Sequence, residues 1–292
     1  MNSQKTHFPN LKIEVLSIGK HKNDSSLNED GYVVTKNTFA VIDGSAPRVD
    51  LKFEGKSTAR FATDVVREVL LVTSPHVNGR ELVTAITLKL NKEIDRIGMR
   101  DIIRKAKEAS PAALFISARI VGEKIIITAL GDVSCRINGK VIHTCYFKTE
   151  ELMTAKRIQA MINAKDKNPL VSDEELQTIG KLAIQEDLKE QVRKYFNNSD
   201  SELGLGIING ENVPDKFIKT YTFNLKDIRT LELFSDGYFI LPKTAKIASW
   251  EKAFFLGEKE DPLRWKKYPA VKGVMKGMYS DDRTILIVYN KA

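Results

Sequence analysis

Hydrophobic and polar residues alternate along many short segments of this chain, and that period is typical of half-buried β-strands. The clearest case is Leu11–Ile18, and Asn138-Gly139 is a strong hairpin signal between two later segments. Most neighbouring segments are separated by turns rather than by long crossovers, which favours antiparallel sheets. The pattern predicts strands at 11–18, 32–35, 38–42, 113–121, 124–130, 133–137, 141–143, 217–223, 230–234 and 284–289.

Apolar residues at helical spacing predict two long helices, one from about Ser57 and one from about Asn78. The polar segments 149–164 and 172–196 are also predicted to be helical, and Ser172 with Glu175 fits a capping box. Further helical segments are expected up to about Lys267. Helices and hairpin-linked strands grouped in this order indicate an α+β layered sandwich.

The length, amino-acid composition and net charge of the chain limit the classes of protein to which it can belong, but they do not identify one class. The chain has 292 residues, 42% of them hydrophobic, which suits a single domain in a soluble protein. No apolar run reaches the length of a membrane span, the first ten residues lack a signal-peptide core, and two cysteines favour a reducing cytoplasm. The net charge is +8, but basic and acidic residues are interspersed, so a solvated basic face is the favoured interpretation. Attraction of phosphorylated substrates comes next, and nucleic-acid binding is the weaker alternative.

The strongest chemical signal is a series of acidic residues placed at strand boundaries. Carboxylates at strand ends are expected to share one region, where their like charges repel and require a cation. Oxygen ligands without a histidine or cysteine cluster point to Mg²⁺ or Mn²⁺ rather than zinc. The motifs are Asn28-Glu29-Asp30, Val41-Ile42-Asp43-Gly44, Gly131-Asp132, Ser235-Asp236-Gly237 and Asp281-Asp282-Arg283-Thr284.

These motifs, in this order and at about this spacing, resemble those of the metal-dependent (PPM, type 2C) serine/threonine protein phosphatases. The resemblance covers nearly the whole chain. It implies a four-layer αββα sandwich, in which two antiparallel β-sheets are flanked by helices on both sides. It also implies a single domain over residues 1–292, with a helical lid inserted at about 149–210.

The resemblance further implies a role for each acidic motif. Two or three Mn²⁺ or Mg²⁺ ions are expected, with Asp43 bridging two of them. Asp30 would orient metal-bound water, and Asp132 together with Asp236 would face a weaker third ion. The implied metal ligands are Glu29, Asp43, the Gly44 carbonyl, Asp132, Asp236 and Asp281.

The activity implied is hydrolysis of phosphoserine and phosphothreonine on proteins, by attack of a water that bridges the metal ions. Two ions can activate such a water and neutralise phosphate oxygens without a nucleophilic side chain. The expected partner is a phosphorylated protein substrate, paired with a serine/threonine kinase. Two alternatives remain: a catalytically weak or silent regulatory module on the same fold, and a phosphatase of a non-protein phosphate ester.

One departure from the family concerns phosphate binding. Ser25 stands where the family carries an arginine that grips the substrate phosphate. Arg48 and Lys22 are the candidates to replace it. Arg48 is preferred, because a guanidinium can bind two phosphate oxygens at once.

Overall fold

The computed structural model describes residues 11–291. Its strands, in chain order, are β1 Leu11–Ile18, β2 Gly31–Val34, β3 Thr38–Gly44, β4 Lys52–Phe53, β5 Lys56–Ser57, β6 Ala113–Val121, β7 Lys124–Leu130, β8 Ser134–Ile137, β9 Lys140–His143, β10 Lys219–Asn224, β11 Thr230–Phe234 and β12 Arg283–Asn290. Its helices are α1 Thr58–Val72, α2 Gly79–Arg96, α3 Arg100–Lys105, α4 Lys148–Lys167, α5 Asp173–Ala183, α6 Gln185–Glu190 and α7 Ile247–Glu260.

Two antiparallel five-stranded sheets form the centre of the protein. The first sheet has the order β1-β12-β11-β8-β9, and the second has the order β10-β7-β6-β3-β2. The last strand, β12, lies between β1 and β11, so the first and the last of the described strands pair in one sheet. Strands β4 and β5 form a separate small hairpin that the sequence pattern did not predict.

Alternate residues of the central strands pack into different cores, as the two-residue period requires. One core lies between the sheets and includes Phe39, Val41, Leu286 and Val288. A second core lies between the second sheet and helices α1 and α2, and it includes Ala40, Ile42, Phe61 and Leu82. A third core lies between the first sheet and α7, and it includes Ile285, Ile287, Trp250 and Phe254. The layers are therefore α7, first sheet, second sheet, then α1 with α2, and the predicted αββα sandwich is confirmed.

Local signals at the helix ends account for most boundaries. Ser57 caps α1, and capping boxes begin α2 and α5, the latter at Ser172 and Glu175 as predicted. The prediction of helix up to Lys267 was wrong, because α7 ends at Glu260. Asp261 then accepts hydrogen bonds from the backbone amides of residues 265–268 and turns the chain away from the helix.

The predicted lid segment, 149–210, has two structurally distinct parts. Helices α4 and α5 pack around a small core of their own, formed by Met161, Val171, Leu176 and Leu263. The apolar residues that follow α6 instead join the core between the sheets; they are Val192, Phe196, Leu205 and Ile207. Residues after about 190 therefore belong to the sandwich.

Within residues 11–291, none of the helices combines the length and the apolar character that crossing a bilayer would need.

The core between the sheets predicts a stability difference. Leu233 is fully buried in it, and Leu233→Ala should lower the free energy of unfolding by about 2–5 kcal/mol, because it removes buried surface and leaves a cavity. Val72→Ala, at a position 84% exposed, should change it by no more than about 0.5 kcal/mol. Urea titration of both variants measures this. Equal effects in the two variants would contradict the assignment of the core.

Candidate active site

Five aspartates from both sheets lie in one region of the protein. The charges of Asp30, Asp132, Asp236 and Asp281 all act on Asp43, which is 9% exposed. The topology explains this convergence, because Asp236 follows β11 and Asp281 precedes its antiparallel neighbour β12. The expectation that the acidic motifs meet at the strand ends is thus met by the geometry.

The glycines of the two Asp-Gly motifs allow backbones to approach closely. A Cβ atom at Gly44 would lie 2.5 Å from the backbone oxygen of Glu29, and one at Gly237 would collide with the backbone oxygen of Asp282. Each glycine thus lets one acidic motif lie directly against another. Neither glycine has a positive φ, so close approach rather than an unusual backbone conformation explains them.

Helix α1 fixes the loop that carries Glu29. The Thr63 hydroxyl donates a hydrogen bond to the Glu29 carbonyl oxygen at 2.8 Å. The Arg60 guanidinium donates to the carbonyl oxygens of Asn28, at 3.2 Å, and Asp30, at 3.0 Å. The positions of Glu29 and Asp30 are therefore set by the helix layer as well as by β2.

Asp30 joins the two sheets through a buried hydrogen-bond chain. Its Oδ2 accepts from the Ser235 hydroxyl at 2.7 Å, and the Thr284 backbone amide donates to that hydroxyl at 2.9 Å. Burial, reinforced by the charge of Asp282, raises the pKa of Asp30 well above its usual value. Asp30 is thus held in place by Ser235, the residue that precedes Asp236 in the chain.

Asp43 and Asp132 carry buried oxygen atoms that lack hydrogen-bond donors. These are Oδ2 of Asp43 and Oδ1 of Asp132. Asp43 also lies within hydrogen-bonding reach of Asp236. Burial and then the charge of Asp236 raise the pKa of both Asp43 and Asp132 well above the usual value. Leaving such oxygens unpaired is costly, so this part of the site calls for a proton or a cation.

Two lysines already neutralise other carboxylates of the region. The Lys272 ammonium binds Asp281, and the Lys20 ammonium binds Glu29 at 2.8 Å and Asp282 at 2.9 Å. Although burial opposes the charge on Asp281, Lys272 and Lys20 more than offset it and lower the pKa of Asp281. Across the described residues 11–291, no set of three or more His, Cys, Asp or Glu side chains is arranged so as to hold a metal ion.

The oxygen atoms on one side of the site are nevertheless of the chemical type that a hard divalent cation prefers as ligands. Asp43, Asp132 and Asp236 offer carboxylate oxygens only, and two of those oxygens lack partners. The fit is poor at Glu29, whose carboxylate is already ion-paired with Lys20.

Two cavities meet at the acidic region. The larger has a volume of about 670 Å³, and its walls include residues 144–147, which follow β9, and the first turns of α4. The smaller has a volume of about 260 Å³ and is lined by Gly44 and Arg48 among others. The cavities share Asp132, Glu150, Asp236 and Lys272 in their walls. A substrate can therefore approach the aspartates through the larger cavity, while the smaller cavity is also lined by Asp43, Asp132 and Asp236.

The two predicted phosphate-binding cations differ in position. Arg48 lines the smaller cavity with Asp43 and donates to the Ala46 carbonyl at 2.7 Å and to Gln191 at 3.3 Å, and its buried Nε has no partner. Lys22 is exposed, its ammonium lies 4.7 Å from the centre of the Tyr279 ring, and it lines neither cavity.

Four charged residues of the site were missed by the sequence reasoning: Lys20, Glu150, Lys272 and Asp282. The two lysines lie in loops without a recognisable motif. Glu150 lies in the first turn of α4, within the segment interpreted only as a lid. Asp282 was noted, but only as a neighbour of Asp281.

Helix α4 is tied to the loop that carries Lys272. The fully buried Arg157 guanidinium donates to the carbonyl oxygens of Leu263, at 2.9 Å, Arg264, at 3.3 Å, and Ala270, at 3.1 Å. The lid and the 262–274 loop therefore form one hydrogen-bonded unit at the mouth of the site.

Comparison with known proteins supports the fold. No sequence model of a known family matches the chain, and no curated protein matches it significantly. Among solved structures, the serine/threonine phosphatase Stp1 from Staphylococcus aureus is similar over 97% of this chain and 95% of its own, with a TM-score of 0.50 and 12% identity. The Mycobacterium tuberculosis serine/threonine phosphatase PstP/Ppp matches over 97% and 99%, with a TM-score of 0.47 and 12% identity. The fold comparison rests on the staphylococcal structure: this chain has the sandwich fold of that phosphatase.

Glu150 predicts a pH-dependent stability. Burial and the charge of Asp236 raise its pKa to about 7, so folding favours its protonated form. A raised carboxyl pKa stabilises the fold below the unfolded pKa, and that stability is lost as pH rises to about 7. In EDTA, the wild-type melting temperature should therefore fall more between pH 5 and 8 than the melting temperature of Glu150→Gln. Thermal scans at several pH values measure this, and parallel curves of melting temperature against pH for the two proteins would contradict it. Glu174→Gln, on the exposed side of α5, is the matched control.

Proposed function

We propose that this protein is a metal-dependent phosphatase that hydrolyses phosphoserine and phosphothreonine on proteins. The observation that carries the proposal is the buried Oδ2 atom of Asp43, which has no hydrogen-bond donor and lies among four other aspartates. Such a cluster does not stabilise a fold, because its carboxylates repel each other. A cluster of carboxylates can instead bind a cation, and the bound cation can then bind a phosphate dianion.

Each aspartate has a role that its position supports. Asp43, Asp236 and Asp281 would hold the Mn²⁺ or Mg²⁺, with the Gly44 carbonyl and Asp132 at its edges. A bound divalent ion would supply positive charge for the phosphate oxygens and a source of activated water. Asp30, held by Ser235, would accept or orient a proton of the attacking water.

Phosphate binding is assigned to Arg48. Its guanidinium lines the cavity that contains Asp43, and its buried Nε is free to donate. A planar guanidinium donates two parallel hydrogen bonds to a phosphate, and a charge-assisted bond is stronger than a neutral one. Lys272, in the walls of both cavities, supplies a second positive charge near the same point.

The size and surroundings of the larger cavity favour a protein substrate. Its volume of about 670 Å³ exceeds what a phosphate group requires, and its wall includes the aromatic side chains of Tyr146, Phe239 and Tyr268. A phosphorylated segment of a protein, made by a serine/threonine kinase in the cytoplasm, is the substrate class that we propose.

Metal dependence and the role of Asp43 are tested together. With p-nitrophenyl phosphate, turnover should vanish in EDTA and return with Mn²⁺ or Mg²⁺. Asp43→Asn should lower kcat at least about a hundredfold, because it removes the carboxylate at the centre of the site. Asp166→Asn, on the exposed face of α4, is the control and should leave kcat unchanged.

Three outcomes would contradict the proposal. Full turnover in EDTA would exclude a metal-dependent reaction. Absence of turnover under all metal conditions, with intact folding, would favour the silent regulatory module, and hydrolysis of small esters without any hydrolysis of phosphopeptides would favour a non-protein substrate.

Arg48 gives a separate prediction about substrate binding. Arg48→Ala should raise KM for a phosphopeptide about tenfold or more, because a charged hydrogen bond contributes about 1.5–3 kcal/mol. The affinity for Mn²⁺ should not change. Arg80→Ala, which breaks an exposed ion pair with Asp215, is the control. An unchanged KM in Arg48→Ala would assign phosphate binding to the lysines of the site.

A further inference from the structure

The loop after β1 places a lysine ammonium inside the acidic region. Lys20 Nζ lies 2.8 Å from Glu29 Oε2 and 2.9 Å from Asp282 Oδ2. The side chains are 15%, 9% and 4% exposed for Lys20, Glu29 and Asp282, so the three charges form a largely buried group. Lys20 also lines the smaller cavity with Asp43 and Gly44. Its ammonium thus lies on the Glu29 side of the site, where a divalent ion would otherwise be expected.

Several contacts hold this ammonium in place. The Lys20 backbone amide donates to Asp282 Oδ1 at 2.8 Å, so the Asp282 carboxylate binds both the backbone amide and the side-chain ammonium of Lys20. The backbone of Glu29 is fixed in turn by the Thr63 hydroxyl. Lys272 differs: its side chain is 40% exposed, and its one ion pair in the described part of the chain is with Asp281. An incoming ion can displace Lys272 far more easily than Lys20.

A divalent ion and an ammonium cannot both bind the Glu29 carboxylate at contact distance without strong repulsion. Removing Lys20 from Glu29 would leave Asp282, which is 4% exposed, as an uncompensated buried charge. Breaking a buried ion pair in this way strongly destabilises a protein, because it leaves a buried charge without its partner. On the other side of the site, the free oxygens of Asp43 and Asp132 impose no such cost.

We infer that the Lys20 ammonium takes the place of one of the divalent ions, so that the site is a centre of one divalent ion and one lysine. The single ion would be held from the side of Asp43 and Asp236, and Lys20 would supply the fixed positive charge beside Glu29. This inference rests on the proposed function, since it presumes that a divalent ion binds at the aspartates.

The test counts Mn²⁺ ions and their spacing on the full-length protein, by calorimetry and electron paramagnetic resonance. Wild type should bind one Mn²⁺ tightly, with the spectrum of an isolated ion. Lys20→Met frees Glu29 and Asp282 and should bind a second ion, giving the broadened spectrum of an exchange-coupled pair. Lys12→Met, which removes the lysine of an exposed pair with Glu14, is the matched control and should behave as wild type.

A second variant keeps the inference testable if Lys20→Met does not fold. In an otherwise wild-type chain, Glu29→Gln should leave the Kd for Mn²⁺ unchanged, because Lys20 rather than the metal occupies that carboxylate. A loss of affinity of about tenfold or more would overturn the inference, as expected for a true ligand.

The remaining outcomes separate this inference from the proposed function. An exchange-coupled Mn²⁺ pair in the wild type would overturn the inference and leave the metal-dependent phosphatase standing. A single ion in both wild type and Lys20→Met would also overturn it, since Lys20 would not be what limits the count. No Mn²⁺ binding in either protein would overturn both.

Discussion

Repulsion among carboxylates held at the ends of strands is the constraint on which the rest of this structure depends. Burial raises the pKa of Asp43, and the charges of four other aspartates raise it further. Low solvent exposure strengthens every one of these interactions, unfavourable ones included. The fold must therefore hold the group together from outside, because its members do not attract each other.

The surrounding layers do so with hydrogen bonds and close backbone contacts. Helix α1 holds the Glu29 loop, and the chain from Asp30 through Ser235 to Thr284 links the two sheets at the site. Gly44 and Gly237 let two pairs of motifs lie against each other. Lysines compensate part of the charge. As a result, the carboxylate of Glu29 is ion-paired, whereas a buried oxygen atom of Asp43 has no hydrogen-bond donor.

Most of the fold could be predicted from the sequence, because its strands and helices are marked by local patterns. The bounds of β1, β6 and β7 agree with the alternation to the residue. The end of α7 was missed, since it depends on Asp261 capturing amides that follow it. The residues after α6 join the main core through contacts that no local pattern encodes.

The five clustered aspartates could be predicted because each lies at an end of an apolar strand. Their counter-charges could not. Lys20 and Asp282 are 262 positions apart, and Lys272 lies in a loop with no periodic pattern. An ion pair between distant loops is fixed by the assembled sheets, so it becomes visible only when the topology is known. Glu150 was missed for the same reason. The sequence of its helix is polar, and only the assembled sandwich brings Glu150 close to the aspartates.

The hydrogen bonds of Arg157 have a mechanical consequence. They couple α4, which carries Glu150, to the loop that carries Lys272, so a carboxyl group and an ammonium group reach the site on one hydrogen-bonded unit. A displacement of α4 would therefore move Glu150 and Lys272 together, and the balance between positive and negative charge around the aspartates would change less than if either residue moved alone.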